Sequence, residues 1–115
     1  MDINPANPGH VLVIPKTHAD TLFTLDAASL TATTLVAQRV AKAVQTAFNP
    51  YGINLVQAIG PGAAQSVPHF HWHIVPRIKD DRLPMNWPLQ AGDRQAIAAA
   101  ADRIRATLVA DFSSH

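Results

Sequence analysis

The chain has 115 residues, no cysteine and a net charge of +1, with nine basic and eight acidic side chains. This length fits one domain, and the composition excludes disulfides and thiolate chemistry. The sequence shows no basic cluster, no long apolar run and no N-terminus of the signal-peptide type. We therefore expect a cytoplasmic protein with neither a nucleic acid nor a membrane as its partner.

The first elements in the chain are an irregular segment and a short strand. Residues 1–9 contain two prolines and a glycine, which disfavour regular structure, so a loop is expected there. His10–Ile14 is apolar and β-branched, and this composition predicts a strand that ends at Pro15.

A long amphipathic helix is predicted over Asp26–Phe48. Asp26 is a favourable N-cap, and the dipeptide Asn49-Pro50 ends the helical pattern. The apolar positions that recur every fourth residue are Val36, Val40, Val44 and Phe48. We expect this face to pack against a sheet.

The second half of the chain predicts two further strands, Ile53–Ile59 and Val67–Arg77, separated by the tight loop Gly60–Gln65. A connector over Asp80–Pro88 leads to a last helix over Asp93–Ala110. The apolar stripe of that helix is Ile97, Ala101, Ile104 and Leu108. Together the elements predict an α+β fold. Its antiparallel sheet carries the long helix across one face, in one domain over residues 1–115 with its core in 2–79.

Three histidines alternate along the third predicted strand, at His69, His71 and His73. Because side chains alternate across a strand, the three imidazoles are expected on one open face, with Phe70 and Trp72 on the buried face. Histidine has modest strand propensity and repels its neighbours when protonated, so this pattern is a poor sheet surface. It indicates a functional site.

Two kinds of site fit the alternating histidines. One is a metal site completed by a ligand such as His10 or His18, and the other uses an imidazole as nucleophile. Residues on one face of a strand lie ~6.6 Å apart, which is too far for three ~2.1 Å bonds to one ion and favours the nucleophile. Backbone N–H groups in the loop Gly60–Ser66 could hold an anion, which favours phosphoryl chemistry.

The region from Gly60 to Arg77, which ends in His69-x-His71-x-His73-Ile-Val-Pro-Arg, resembles the signature of the histidine triad (HIT) family of nucleotide hydrolases and transferases. The resemblance extends upstream through Pro8-Gly9-His10 to His18 and covers the chain from Asp2 to about Lys79. It implies a HIT-like fold without a cofactor or a catalytic metal. It also implies a nucleotide substrate, either a purine nucleoside phosphoramidate or a dinucleoside polyphosphate.

The resemblance also implies roles for individual residues. His71 would attack the α-phosphorus and form a nucleotidyl-histidine intermediate, with His69, His73 and His10 as supporting histidines. Asp2 would hold the ribose hydroxyls. The remaining substrate-binding positions are Ile3, Gly60, Gln65 and Ser66, of which Gln65 and Ser66 match the residues that contact the phosphate.

Departures from the family pattern keep a second hypothesis open. The segment that precedes the aspartate in relatives is missing before Asp2, Ala58 removes a donor, and Ala64 replaces a glycine and is expected to need a strained backbone. The alternative is therefore a nucleotide-binding or metal-binding module with little turnover. We also expect a homodimer, because the alanine-rich core is weak and the long helix has a second apolar side. In relatives the matching helix and strand form the interface, which would place Leu35, Ala43 and Ile53 there.

Overall fold

The fold is α+β, as predicted, in a computed structural model that describes residues 1–113. The elements in chain order are β1 (Val11–Val13), α1 (Ala27–Phe48), β2 (Gly52–Val56), a 3₁₀ turn (Pro61–Ala63), β3 (Trp72–Arg77) and α2 (Arg94–Ser113). The chain forms two compact units, the first over residues 1–83 and the second from residue 84 onward. The candidate site lies in the first unit.

Helix α1 begins and ends where the sequence predicts. The Asp26 side chain accepts a hydrogen bond from the Ser29 N–H at 2.9 Å, which caps the first turn. At the other end Asn49 adopts the left-handed conformation with φ 44°, and its N–H donates to the Gln45 carbonyl. The cap residues therefore set both ends of the helix.

The buried stripe of α1 differs from the predicted one. Thr33, Ala37 and Val44 are its buried residues, whereas Val36 and Phe48 are about half exposed. The every-fourth-residue pattern therefore gave the wrong face for these two residues. The sheet follows the narrower line of small residues through Ala37, because a close helix-sheet contact favours small side chains.

The three strands pair antiparallel in the order β1-β3-β2. Strand β3 is central, and His73 lies opposite Leu12 on one side and Val56 on the other. Helix α1 covers the face that carries Val13 and Ile74. The His73 side chain therefore lies on the opposite face.

The third strand starts later than the sequence predicts. Val67–Arg77 was expected to be continuous, but β3 begins at Trp72, so His69 and His71 precede it. The Phe70 N–H donates to the Ala19 carbonyl at 2.7 Å and takes no part in the sheet. Strand β2 ends three residues before the predicted end at Ile59, and β1 is one residue shorter at each end than His10–Ile14.

A second hydrophobic cluster holds the segment that precedes β3. Phe70 is fully buried and packs with Ala19 and Leu25. Trp72 contacts this cluster and the cluster under α1, with its ring edge-on to Phe70. Burial of Phe70 thus fixes the backbone on either side of it, at His69 and His71.

The second unit contains α2. Asp93 caps this helix by accepting the Ala96 N–H at 3.1 Å, and the helix continues to Ser113, beyond the predicted end at Ala110. The larger side chains of its predicted stripe are 48–61% exposed. None of the helices in the described part of the chain is long and apolar enough to cross a membrane.

Candidate active site

A backbone N–H at the edge of the site sets the proton position on His10. The Ala6 N–H donates to His10 Nδ1 at 3.0 Å. A backbone N–H can only donate, so Nδ1 carries the lone pair, and the ring proton of a neutral His10 lies on Nε2. No sequence pattern points to Ala6, because every residue except proline offers this donor.

The imidazoles of His10, His73 and His71 form a line of hydrogen bonds that begins at the Ala6 N–H. We call these three residues the relay. His10 Nε2 lies 2.9 Å from His73 Nδ1, and His73 Nε2 lies 3.1 Å from His71 Nε2. The proton on His10 Nε2 makes His73 Nδ1 an acceptor, so the His73 proton lies on Nε2 and points at His71 Nε2.

The relay ends at a group that can only accept. His71 Nδ1 lies 2.7 Å from the His69 carbonyl oxygen, so the His71 proton lies on Nδ1. The donor at Ala6 and the acceptor at His69 therefore fix one proton on each of three neutral rings. His71 Nε2 is left with a lone pair, which is the requirement for a nucleophilic imidazole.

Two relay residues, His10 and His71, are buried and His73 is half-buried, which corrects the expected open face. His10 is 6% exposed and His71 is 7% exposed. Desolvation lowers the pKa of His73, and the nearby His71 and His10 rings lower it further because a second positive charge would be repelled. Burial and repulsion between the rings both favour the neutral form of His73, which the hydrogen bonds require.

The spacing argument was wrong for two of the three histidines. The ring centroids of His71 and His73 are 4.7 Å apart and the rings meet edge-on, because His71 precedes β3 and its side chain is not held at strand spacing. The His69 ring takes another direction, and its Nε2 lies 3.1 Å from the Pro15 carbonyl oxygen. His69 thus joins the relay through its backbone carbonyl and not through its ring.

The His69 ring belongs to a separate group near the surface. His69 Nδ1 lies 3.1 Å from His18 Nδ1, and His18 Nε2 lies 3.0 Å from an Asp20 carboxylate oxygen. We call His18 and His69 the outer pair. The side chains of His18 and Asp20 are 70% and 65% exposed.

Gln65 closes the loop that precedes the histidines. Its side-chain oxygen accepts the Gly60 N–H at 2.8 Å, and its Nε2 donates to the carbonyls of Asp20 and Val67 at 2.7 and 3.1 Å. The Gln65 side chain and the Gly60 N–H are therefore already engaged. Ser66 is exposed next to them and makes no hydrogen bond through its side chain within the described residues.

The loop also contains the strained residue that the sequence predicts. Ala64 has φ 63° and ψ 33°, in the left-handed region that favours glycine. Its N–H donates to the Pro61 carbonyl at 3.1 Å, and the Ala63 N–H donates to the Gly60 carbonyl at 3.2 Å. These bonds use N–H groups that were expected to bind an anion, so fewer of them face outward than predicted.

Comparison with known proteins decides the family. Residues 1–80 match the HIT domain. The chain belongs to the HIT family.

Relatives and a solved structure agree with this family. The chain is 37% identical over 95 residues to the adenosine 5'-monophosphoramidase of Saccharomyces cerevisiae, covering 81% of this chain and 57% of that protein. It is 40% identical over 81 residues to the bis(5'-adenosyl)-triphosphatase of Dictyostelium discoideum, covering 70% of this chain and 54% of that protein. The crystal structure of a HIT family member from Bacillus subtilis superposes with a TM-score of 0.83 at 29% identity, covering 91% of this chain and 77% of that one.

The chain spans 54–65% of the length of several of its HIT relatives, these two enzymes included.

The structure places the expected HIT ribose contact, Asp2, beside the relay. Asp2 Oδ2 lies 3.5 Å from His10 Nε2, and Oδ1 accepts the Asn4 N–H at 2.8 Å. Ile3 is 91% exposed, so its side chain is free to contact a ligand.

Three potential metal ligands converge at Asp2, His10 and His73, with one ligand atom from each inside 4.8 Å. The hydrogen bonds do not fit a metal at this point. The Ala6 N–H on His10 Nδ1 places the ring proton on Nε2, and a metal would need the lone pair of that same nitrogen. The geometry therefore favours imidazole chemistry over metal binding in this cluster.

Proposed function

We propose that the protein is a nucleotide hydrolase that acts at the α-phosphate through a nucleotidyl-histidine intermediate on His71. The directed relay is the observation that carries this proposal, because it leaves the lone pair of His71 at Nε2. Membership of the HIT family supports it, as do the activities for which the yeast phosphoramidase and the Dictyostelium triphosphatase are named.

The first step forms the intermediate. His71 Nε2 attacks the α-phosphorus, a P–N bond forms, and the P–N or P–O bond to the leaving group breaks with its electron pair on that group. The leaving group takes a proton from solvent. The His69 carbonyl at 2.7 Å holds the His71 Nδ1 proton and stabilises the positive charge that the ring acquires.

The second step returns the enzyme to its starting state. Water attacks the phosphorus and forms a P–O bond while it loses a proton to solvent. The P–N bond to His71 breaks, the nitrogen recovers its lone pair, and the nucleoside monophosphate leaves. During both steps His73 Nε2–H, which in the free enzyme points at His71 Nε2, donates to a phosphoryl oxygen instead. His10 holds His73 in the required tautomer.

Substrate binding is assigned to groups around the relay. We propose that Asp2, beside the relay, accepts hydrogen bonds from the ribose and that the exposed Ile3 side chain contacts the base. Ser66 is proposed as the direct phosphate donor. Gln65 and Gly60 shape the loop, and Gln65 contacts phosphate only by exchanging one of its present hydrogen bonds.

Hydrolysis of two substrates tests the activity. Adenosine 5'-phosphoramidate and diadenosine triphosphate are incubated with the protein, and ³¹P NMR follows the appearance of adenosine monophosphate. We expect turnover of at least one of them. Binding of both nucleotides without turnover would contradict the proposal and leave a nucleotide-binding module.

We propose further that the protein works as a homodimer. Leu35 is 56% exposed on the side of α1 that faces away from Ala37 and the sheet. Tyr51, which directly precedes the edge strand β2, and Leu55 within that strand are 80% and 45% exposed. An edge strand next to apolar side chains favours an isologous contact.

Light scattering at low micromolar concentration tests the dimer. We expect twice the mass of the 12.4 kDa chain, and a lower mass for Leu35→Asp. A monomer with full activity would contradict the proposal.

A further inference from the structure

The side chain of Asn7, the residue after Ala6, holds the N-terminal segment in place. Asn7 Nδ2 donates to the Pro76 carbonyl at 2.9 Å and to Asp81 Oδ2 at 3.0 Å. Both partners are acceptors, so the two amide protons are used and the orientation of the amide is fixed. The backbone carbonyl of Asn7 also accepts the His10 backbone N–H at 3.2 Å, which connects the segment to the first relay residue.

The acceptor for Asn7 is itself part of a rigid ion pair. The Asp81 side chain is 5% exposed and lies 2.8 Å from both Nε and NH2 of Arg77. It also accepts the N–H groups of Ile78 and Leu83. Arg77 reaches across to Asn54 Oδ1 on β2 at 2.9 Å. Asn7 is thus anchored to β3, to β2 and to the turn after β3 at once.

We infer that Asn7, Arg77 and Asp81 form a positioning clamp that holds the Ala6 N–H on His10 Nδ1 and so sets the proton direction of the relay. The inference rests on the proposed function for its catalytic meaning, but the tautomer of His10 is a property of the free protein. The Ala6 side chain is an exposed methyl group, which cannot hydrogen-bond and so cannot orient the Ala6 N–H in that way. The adjacent Asn7 amide provides that contact.

The clamp has a consequence for the pH dependence. His10 is faced by Asp2 from the N-terminal segment and by His73 from β3, and His73 in turn contacts His71. Every ring lone pair in this line accepts a hydrogen bond, so a further proton must break one of them. Release of the Ala6 N–H frees the lone pair of His10 Nδ1, so a proton can enter the line there without breaking a hydrogen bond. Passage of the His10 Nε2 proton to His73 Nδ1, and of the His73 Nε2 proton to His71 Nε2, then removes the His71 lone pair, so activity would be lost at a higher pH.

Nuclear magnetic resonance of histidine ring nitrogens tests the clamp without substrate. In the wild-type protein, ¹⁵N-labelled on histidine, we expect the Nε2–H form of His10 and the Nδ1–H form of His71. In Asn7→Ala the His10 signal should move toward the Nδ1–H form. Asn7→Gln keeps both donors and should restore the wild-type form in part. Asn4→Ala is the matched control, because Asn4 is exposed in the same segment and among the described residues its side chain makes no hydrogen bond.

Kinetics of the same variants give the second readout. For Asn7→Ala we expect kcat to fall by about tenfold with little change in KM, since the relay is misaligned and not removed. The acid limb of the pH profile should move to higher pH. A folded Asn7→Ala variant with the wild-type His10 tautomer and an unmoved acid limb would overturn the clamp. An inactive wild type whose His10 tautomer changes in Asn7→Ala would overturn the proposed function and leave the clamp standing.

Discussion

The relay and the outer pair are both built from histidines, but the hydrogen-bond partners at their ends differ. The relay runs from a group that only donates, the Ala6 N–H, to one that only accepts, the His69 carbonyl, so three neutral rings satisfy every contact. The outer pair lies between two acceptors, the Pro15 carbonyl and the Asp20 carboxylate. Three hydrogen bonds there need three protons, and two neutral rings hold two.

This difference shows that the ends of a histidine line, and not the number of histidines, determine whether it has a direction. His10 and His71 of the relay are also buried and His73 is half-buried, whereas His18 and Asp20 are mostly exposed. A defined tautomer in a desolvated site suits nucleophilic chemistry. We therefore propose that catalysis takes place at the relay and that the ring of His18 takes no part in it.

Replacement of the nucleophile should have the largest effect. His71→Ala removes the attacking nitrogen, so we expect kcat to fall by more than about a thousandfold. His18→Ala, which removes a ring from the outer pair, should keep wild-type kcat. The measurement is adenosine monophosphate release. Loss of activity in His18→Ala equal to that in His71→Ala would contradict the division between the two groups.

The residue between the two groups in the chain is the next test. Phe70 is fully buried and separates His69 from His71. Phe70→Ala should lower the free energy of unfolding by about 3–5 kcal/mol, because it leaves a cavity and removes the apolar contacts of the ring. Urea unfolding followed by circular dichroism measures this, and a loss below about 1 kcal/mol would show that Phe70 does not hold the segment.

The buried relay should also make stability depend on pH. The pKa of His73 is lowered in the folded state, so the unfolded chain binds the proton more tightly. Stability is then fully present above the unfolded pKa of about 6.5 and falls as pH drops below it. We expect a lower Tm at pH 5.5 than at pH 7.5, and a smaller difference in His73→Gln. An equal difference in both proteins would contradict this role of His73.

The smallest effect is expected at the exposed end of the outer pair. Asp20→Asn removes the carboxylate that lies 3.0 Å from His18 Nε2. Because both side chains are mostly exposed, the free energy of unfolding should change by less than about 1 kcal/mol. Chemical unfolding measures it. A larger loss would mean that the outer pair is a structural element in its own right.

Much of the fold could be predicted from the sequence, because local signals set it. The N-cap Asp26, the left-handed Asn49 and the helical pattern between them determine α1. The residues that share the candidate site were also visible as a motif, and Asp2, His10, His71 and His73 do lie together.

The remaining features depend on contacts between distant parts of the chain. Residues 67–71 have the alternation of a strand, but the Phe70 N–H bonds to Ala19, so β3 starts at Trp72. The direction of the relay depends on a backbone N–H at Ala6, and its support depends on the Asn7 amide reaching Asp81. The residue types at these positions do not predict such contacts.

The central claim is that His71 Nε2 carries the nucleotide during turnover. The most direct measurement is single-turnover mixing with adenosine 5'-phosphoramidate, a quench without acid, and peptide mass spectrometry with fragmentation to assign the modified residue. We expect an adenylyl group on His71 that forms and then decays as adenosine monophosphate appears. An adduct on His69 or His73, or monophosphate release with no adduct on any histidine, would contradict it.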